Sequence, residues 1–131
     1  MELAIQQALK LNATQIVIHC TLGKRVDHTL ANLLTLKQIP KNVKGQIITQ
    51  NQTISLVQDE QTLQKKDGER VSIIPLEPLK GLNYEGLKWE VKDLNTNAGW
   101  FGISNIIVDK KATIRLQSGS LLLIQIKDKM K

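Results

Sequence analysis

Apolar and polar positions follow two different periods along this chain, and the change falls before its midpoint. Leu3, Ala4, Ala8 and Leu11 recur at helical spacing and predict a short opening helix. Gln15-Ile16-Val17-Ile18-His19 is a compact β-branched run, the pattern of a strand covered on both faces. After a loop over residues 20–27, Leu30, Leu33, Leu34 and Leu36, with Ala31 between them, predict a second helix ending near Pro40. Residues 44–49 return to a strand. Helix, strand, helix, strand in this order implies parallel strands joined by a crossover helix. Two strands do not complete such a sheet, so the opening helix is expected to lie inside a domain, not at its start.

From about Asn51 the runs shorten. Ile54–Val57, Val71–Pro75, Leu87–Val91, Thr113–Leu116 and Leu121–Ile126 read as strands. Turn signals separate them at Lys66-Asp67-Gly68, Glu85-Gly86, Asn95–Asn97 and Gln117-Ser118-Gly119. Short strands at this spacing predict an antiparallel sandwich or barrel. The fold class expected is therefore an α+β composite. Residues 1–62 form a partial α/β, Rossmann-like segment with a parallel sheet, and residues 63–131 an antiparallel β-sandwich or barrel domain.

Composition changes this picture little. The 131 residues are 41% hydrophobic and 23% charged, as in ordinary folded domains. No apolar run of about 18 residues predicts a membrane span, and residues 1–7 lack the basic start of a secretory signal. The single cysteine, Cys20, excludes an intramolecular disulfide and a cysteine-rich zinc site. These features lead us to expect a cytoplasmic protein. The net charge of +6 is spread along the chain without a long basic run, apart from the Lys-rich tail at 127–131. It therefore reads as a solvated surface and not as a nucleic-acid footprint.

Two stretches carry unusual chemistry. Gly23-Lys24-Arg25-Val26-Asp27-His28 leaves a strand and enters a helix, where unpaired backbone N–H groups favour phosphate. Arg25 offers a planar fork suited to a polyphosphate, and Asp27 a hard oxygen ligand for Mg²⁺. Equally, Asp27 could cap the helix and Arg25 lie in solvent. His28 has no matched nucleophile nearby in sequence. The second stretch runs over residues 97–105 and holds Gly99, Trp100, Phe101, Gly102, Ser104 and Asn105. Glycines let a backbone approach a ligand closely, and Ser and Asn supply donors and acceptors. Upstream, Trp89 could stack on a heteroaromatic cation, or either Trp could be core. One stretch in each part of the chain suggests a site between the two.

The segment Gly23-Lys24-Arg25-Val26-Asp27-His28-Thr29-Leu30-Ala31-Asn32 resembles the thiamine pyrophosphokinase signature, roughly Gly-Gly-Arg-x-Asp-His-x-x-x-Asn. Val71–Leu76, Gly86-Leu87-Lys88-Trp89, Gly102-Ile103-Ser104-Asn105 and Ser118–Ile124 are similar to that family's β domain, in order. The resemblance spans nearly the whole chain. It implies transfer of a pyrophosphoryl group from ATP to thiamine, giving thiamine diphosphate and AMP. It also implies ATP phosphates bound by Gly23, Lys24 and Arg25, with Arg25 and Asp27 catalytic and Asp27 ligating Mg²⁺. Trp89, Ser104 and Asn105 would bind thiamine, and a homodimer would place the site between subunits.

There are two departures from the family pattern. Cys20 and Lys24 stand where small glycines are usual, which bears on nucleotide binding. The family's N-terminal acidic motif, resembling Asp-x-x-Asp, is not in this sequence, so little kinase activity is expected from this chain alone. A non-catalytic thiamine-binding module is the alternative expectation.

Overall fold

The computed structural model describes residues 1–19 and 23–127. Cys20 and the tail beyond Lys127 lie outside the described residues. Helix α1 (Glu2–Lys10) leads into β1 (Gln15–His19), and α2 (Val26–Thr35) with a 3₁₀ turn at Leu36–Gln38 leads into β2 (Lys44–Ile48). The remaining strands are β3 (Gln52–Val57), β4 (Glu60–Gln64), β5 (Arg70–Pro75), β6 (Leu82–Glu85), β7 (Val91–Leu94), β8 (Gly102–Ile106), β9 (Lys111–Arg115) and β10 (Leu121–Ile126). The chain is an α+β structure, as the sequence implied.

Two sheets result. One has the order β1-β2-β3-β10-β5-β8, and the other β4-β9-β6-β7. Only β1 and β2 run parallel, through the crossover helix α2; β3 then pairs antiparallel to β2 and to β10. The larger sheet is thus continuous from the parallel pair into the antiparallel strands.

The period-2 alternation of strands explains how one sheet serves two cores. Leu121 and Leu123 of β10, Val71 and Ile73 of β5, and Val57 of β3 face the smaller sheet. There they meet Leu63, Leu82, Tyr84, Ala112 and Ile114 in a β-sandwich core. Leu122 of β10, with Ile54 and Leu56 of β3, points the other way and packs with Ile5, Leu36, Ile39 and Val43 under the helices. A strand covered on both sides needs apolar residues at every position. Leu121–Ile126 is accordingly apolar except at Gln125, whose buried amide donates to the Gln64 and Gly68 carbonyls.

Several sequence expectations need correction. The face of α1 that is buried carries Ile5, with Ala8 and Leu9 packed against the same core, whereas Leu3 and Leu11 are 80% and 71% exposed. Positions 5, 8 and 9 sit at i, i+3 and i+4, the tighter helical stripe. The second helix stops being α-helical at Thr35, and Ile39 is extended (φ −76°, ψ 125°) before Pro40, as the proline ring requires of its predecessor. Finally, Leu87–Val91 is not a strand. Leu87 makes a single bridge to Ile107, residues 88–90 form a loop, and pairing begins only at Val91.

Candidate functional site

The loop at residues 86–90 owes its shape to four fixed points. Gly86 has φ +84°, and a Cβ there would fall onto the carbonyl oxygen of Lys111, so only glycine fits. Its N–H donates to Glu90 Oε2 at 2.8 Å, closing the loop on itself. The Lys88 N–H donates to the Ile106 carbonyl at 2.8 Å. Asn105 then clamps Trp89: its Oδ1 accepts the Trp89 N–H at 3.1 Å, and its Nδ2 donates to the Trp89 carbonyl at 2.7 Å. Oδ1 also accepts the Ile106 N–H at 2.9 Å.

Asn105 is 6% exposed and Trp89 is 56% exposed. A buried amide is therefore spending its hydrogen bonds to hold up an indole that solvent can reach. Burial of a tryptophan would be the usual outcome in so small a domain, and Trp100 follows it. Trp100 packs against the sandwich core, with its ring edge 3.2 Å from where a Cβ on Gly102 would stand. The turn before it closes through the Trp100 N–H and the Asn97 carbonyl at 3.2 Å, with Gly99 at φ +89°.

Ser104 lies beside these groups on β8. The register between β5 and β8 slips between Val71 and Ile73, and Ser104 has φ +60° at that irregularity. Its N–H is satisfied by Ser72 Oγ at 3.1 Å. A non-glycine residue in this region of backbone space needs such support, and bulges of this kind re-aim side chains. Ser104 is exposed. The structure thus brings Trp89, Ser104 and Asn105 together on β8 and the loop docked against it. It gives Asn105 a role that sequence did not, since its amide is engaged with backbone on both atoms. Gly86, Lys88 and Glu90 also belong to the construction. Gly86 and Lys88 stood in the quoted motif without a role, and no local signal pointed to Glu90.

Around this loop, Phe101, Ile103 and Val108 are also exposed, along β8 and just beyond it. β8 is an edge strand of the larger sheet. The surface is open. Of two clefts of about 450 and 470 Å³, one is lined by Lys65, Lys66 and Lys110, and the other adjoins the base of the loop at Gly86 and Glu90, with Glu85 and Arg115. Neither is lined by Trp89, Ser104 or Asn105.

At the start of α2, Arg25 is the residue before the helix and makes no side-chain cap. It pairs instead with Asp27, Nε to Oδ1 at 3.2 Å and Nη2 to Oδ2 at 2.7 Å. Asp27 Oδ1 also accepts the His28 N–H at 2.9 Å, taking up one of the unpaired donors of the first turn. The Arg25 guanidinium, and then the His28 N–H, hold the Asp27 carboxyl below the usual carboxylate range. The structural alternative for this stretch is therefore partly met: Asp27 satisfies a first-turn donor, while Arg25 is exposed but paired with it. A Cβ on Gly23 would meet nothing within 4 Å, so the chain's own packing does not require glycine there. No hydrogen bond among the described residues joins this stretch to the Trp89 loop.

Comparison with known proteins adds an independent line. Residues 51–121 match the family described as thiamin pyrophosphokinase, vitamin B1 binding domain. Among solved structures, a thiamine pyrophosphokinase from Bacillus subtilis is 27% identical, with a TM-score of 0.87 over 98% of this chain and 62% of that one. A probable thiamine pyrophosphokinase from Staphylococcus saprophyticus is 25% identical, with a TM-score of 0.71 over 98% and 61%. A thiamin pyrophosphokinase from Geobacillus thermodenitrificans, 22% identical, shares the fold with a TM-score of 0.80 over 96% and 60%. The chain spans roughly three-fifths of the length of these structures. No curated protein matches by sequence. No helix among the described residues is long and apolar enough to cross a membrane.

Proposed function

Because this chain belongs to the thiamin pyrophosphokinase family, we propose that it supplies the thiamine-holding surface of a thiamine diphosphokinase. The observation that carries this reading is Trp89, half exposed on a loop fixed at four points within the matched region. A rigid indole face attracts a heteroaromatic cation through stacking and the ring quadrupole. A loop ordered in advance avoids the entropic cost of assembling that face on binding. Ser104, the neighbour of Asn105 on β8, would supply a hydroxyl to the ligand, while Asn105 acts through Trp89.

In this proposal residues 1–62 contribute to the nucleotide side and residues 63–131 hold thiamine. Gly23, Lys24 and Arg25 would meet ATP phosphates at the start of α2, where helix N–H groups and the Arg25 fork both favour anions. The reaction would move a pyrophosphoryl group from ATP to the thiamine hydroxyl, giving thiamine diphosphate and AMP, with catalysis resting on positioning and charge neutralisation. Mg²⁺ is the metal that membership of the family implies. The described residues do not fit it by themselves: no group of three or more metal-ligating side chains is present among them, and both oxygens of Asp27 are engaged by Arg25. Asp27 would be at most one of several ligands.

An open indole with no pocket around it is half a site. The exposed apolar side chains on the β8 edge fit burial against a second subunit, so a homodimer that completes the site is part of the proposal, as is a cytoplasmic setting. A second reading, a thiamine-binding module without kinase activity, is favoured by the restriction of the family match to the vitamin B1 binding domain.

The test is calorimetric titration with thiamine, together with an assay of thiamine diphosphate formation from ATP, Mg²⁺ and thiamine. Saturable binding lost in Trp89→Ala supports the site. Product formation then selects the kinase, and binding without product selects the module. Failure of thiamine to bind would overturn both.

A further inference from the structure

We propose that Lys88 makes the Trp89 surface read ligand charge, disfavouring a cationic heteroaromatic and favouring one that carries an anionic tail. The inference rests on Trp89 being the stacking surface for thiamine.

The Lys88 ammonium lies 4.8 Å from the centre of the Trp89 ring, within the range of a cation–π contact. The backbone on both sides of the pair is fixed, Lys88 by the Ile106 carbonyl and Trp89 by Asn105. The lysine stem is therefore rooted beside the indole, with its ammonium over the ring in this conformation. Among the described residues no carboxylate pairs with Lys88, so its charge is not neutralised locally.

The thiazolium of thiamine is a permanent cation. On the face that Lys88 covers, it must displace the ammonium; on the opposite face it meets a ring already polarised by a like charge. Either way, the contact at stake is one exposed cation–π interaction, equivalent to about two- to fivefold in affinity. A diphosphate ester of the same ring reverses the sign. The flexible lysine stem can swing off the indole and present its point charge to phosphate oxygens. Lys88 thus shifts the balance of this surface away from the free vitamin and towards its phosphorylated form.

The experiment titrates thiamine and thiamine diphosphate separately against the unaltered chain, Lys88→Met and Lys88→Arg. Methionine keeps most of the stem and removes the charge. The expected result is thiamine binding about two- to fivefold tighter in Lys88→Met, diphosphate binding weaker, and the original order retained in Lys88→Arg. Movement of both ligands in the same direction, or of neither, overturns the proposal while leaving the thiamine site intact. Absence of thiamine binding to the unaltered chain overturns the site and the proposal together. A ligand-free readout is available in a Trp100→Phe background, where Trp89 is the sole indole. Iodide should quench its fluorescence more efficiently than caesium, and Lys88→Met should narrow that difference. An unchanged ratio overturns the placement of the ammonium on the ring.

Discussion

Asn105→Ala tests the claim that the Trp89 loop is held in advance. The substitution removes three hydrogen bonds: to the Trp89 N–H, the Trp89 carbonyl and the Ile106 N–H. Each is worth about 0.5–1.5 kcal/mol net, and a buried backbone group left without any partner costs about 1–3 kcal/mol. The loop can reach water by detaching, which relieves part of that penalty. A loss of about 2–3 kcal/mol in global stability is expected, or a fall of roughly 1–2 M in the urea midpoint at an ordinary m-value. Detachment also lowers the fraction of molecules with Trp89 in place. If restoring it costs about 1–2 kcal/mol, thiamine binds about 5- to 30-fold more weakly. Chemical denaturation, acrylamide quenching of Trp89 and calorimetry measure the three consequences. A stability change under about 0.5 kcal/mol, with unchanged quenching, would refute the clamp. Asn105→Asp provides a sharper control. The carboxylate can still accept the two N–H groups but opposes the Trp89 carbonyl. Protonation restores a donor, so the folded-state carboxyl should titrate high and the variant should recover stability as pH falls.

Gly86→Ala should destabilise the chain by more than about 2 kcal/mol, since an ordinary residue at positive φ costs about 1–2 kcal/mol before the clash with the Lys111 carbonyl is counted; an undiminished thermal midpoint would contradict the close approach. For Asp27, an NMR titration of its carboxyl should show a midpoint below the ordinary carboxylate range, and Arg25→Ala should raise it. Because the folded-state value is the depressed one, the pair's contribution is present above the unfolded carboxyl's range and lost as pH falls through the folded midpoint. The pair is solvent-exposed, so that contribution to stability should be small.

The composite fold was legible because its two signals are local. β1 and β10 were bounded correctly as Gln15–His19 and Leu121–Ile126, because each is a compact, mostly apolar run; the expectation that β1 is covered on both faces was wrong, since it is an edge strand that buries Ile16 and leaves Val17 exposed. The loop-to-helix transition around Asp27 and the motifs of the β domain were likewise readable in order. Strands β4, β6 and β8 carried no such run. β4 and β8 are largely polar or exposed, and their pairing comes from residues far away in the chain: Gln64 with Lys111, and Arg70 with Ile106. The misread segment Leu87–Val91 has strand-like composition, but Gly86, Glu90 and Asn105 together bend it into a loop.

Sequence by itself fixed which residue types are present to bind a heteroaromatic cation, and it could not separate Trp89 from Trp100. Their difference is one of tertiary placement. Trp100 follows a tight turn that folds its ring over Gly102 onto the sandwich core, whereas Trp89 sits on a loop whose backbone is consumed by a buried amide 16 positions away. Local pattern records what a side chain can do, because chemistry belongs to the residue. Exposure and orientation depend on which distant backbone groups are satisfied by which partners, and only the closed fold settles that.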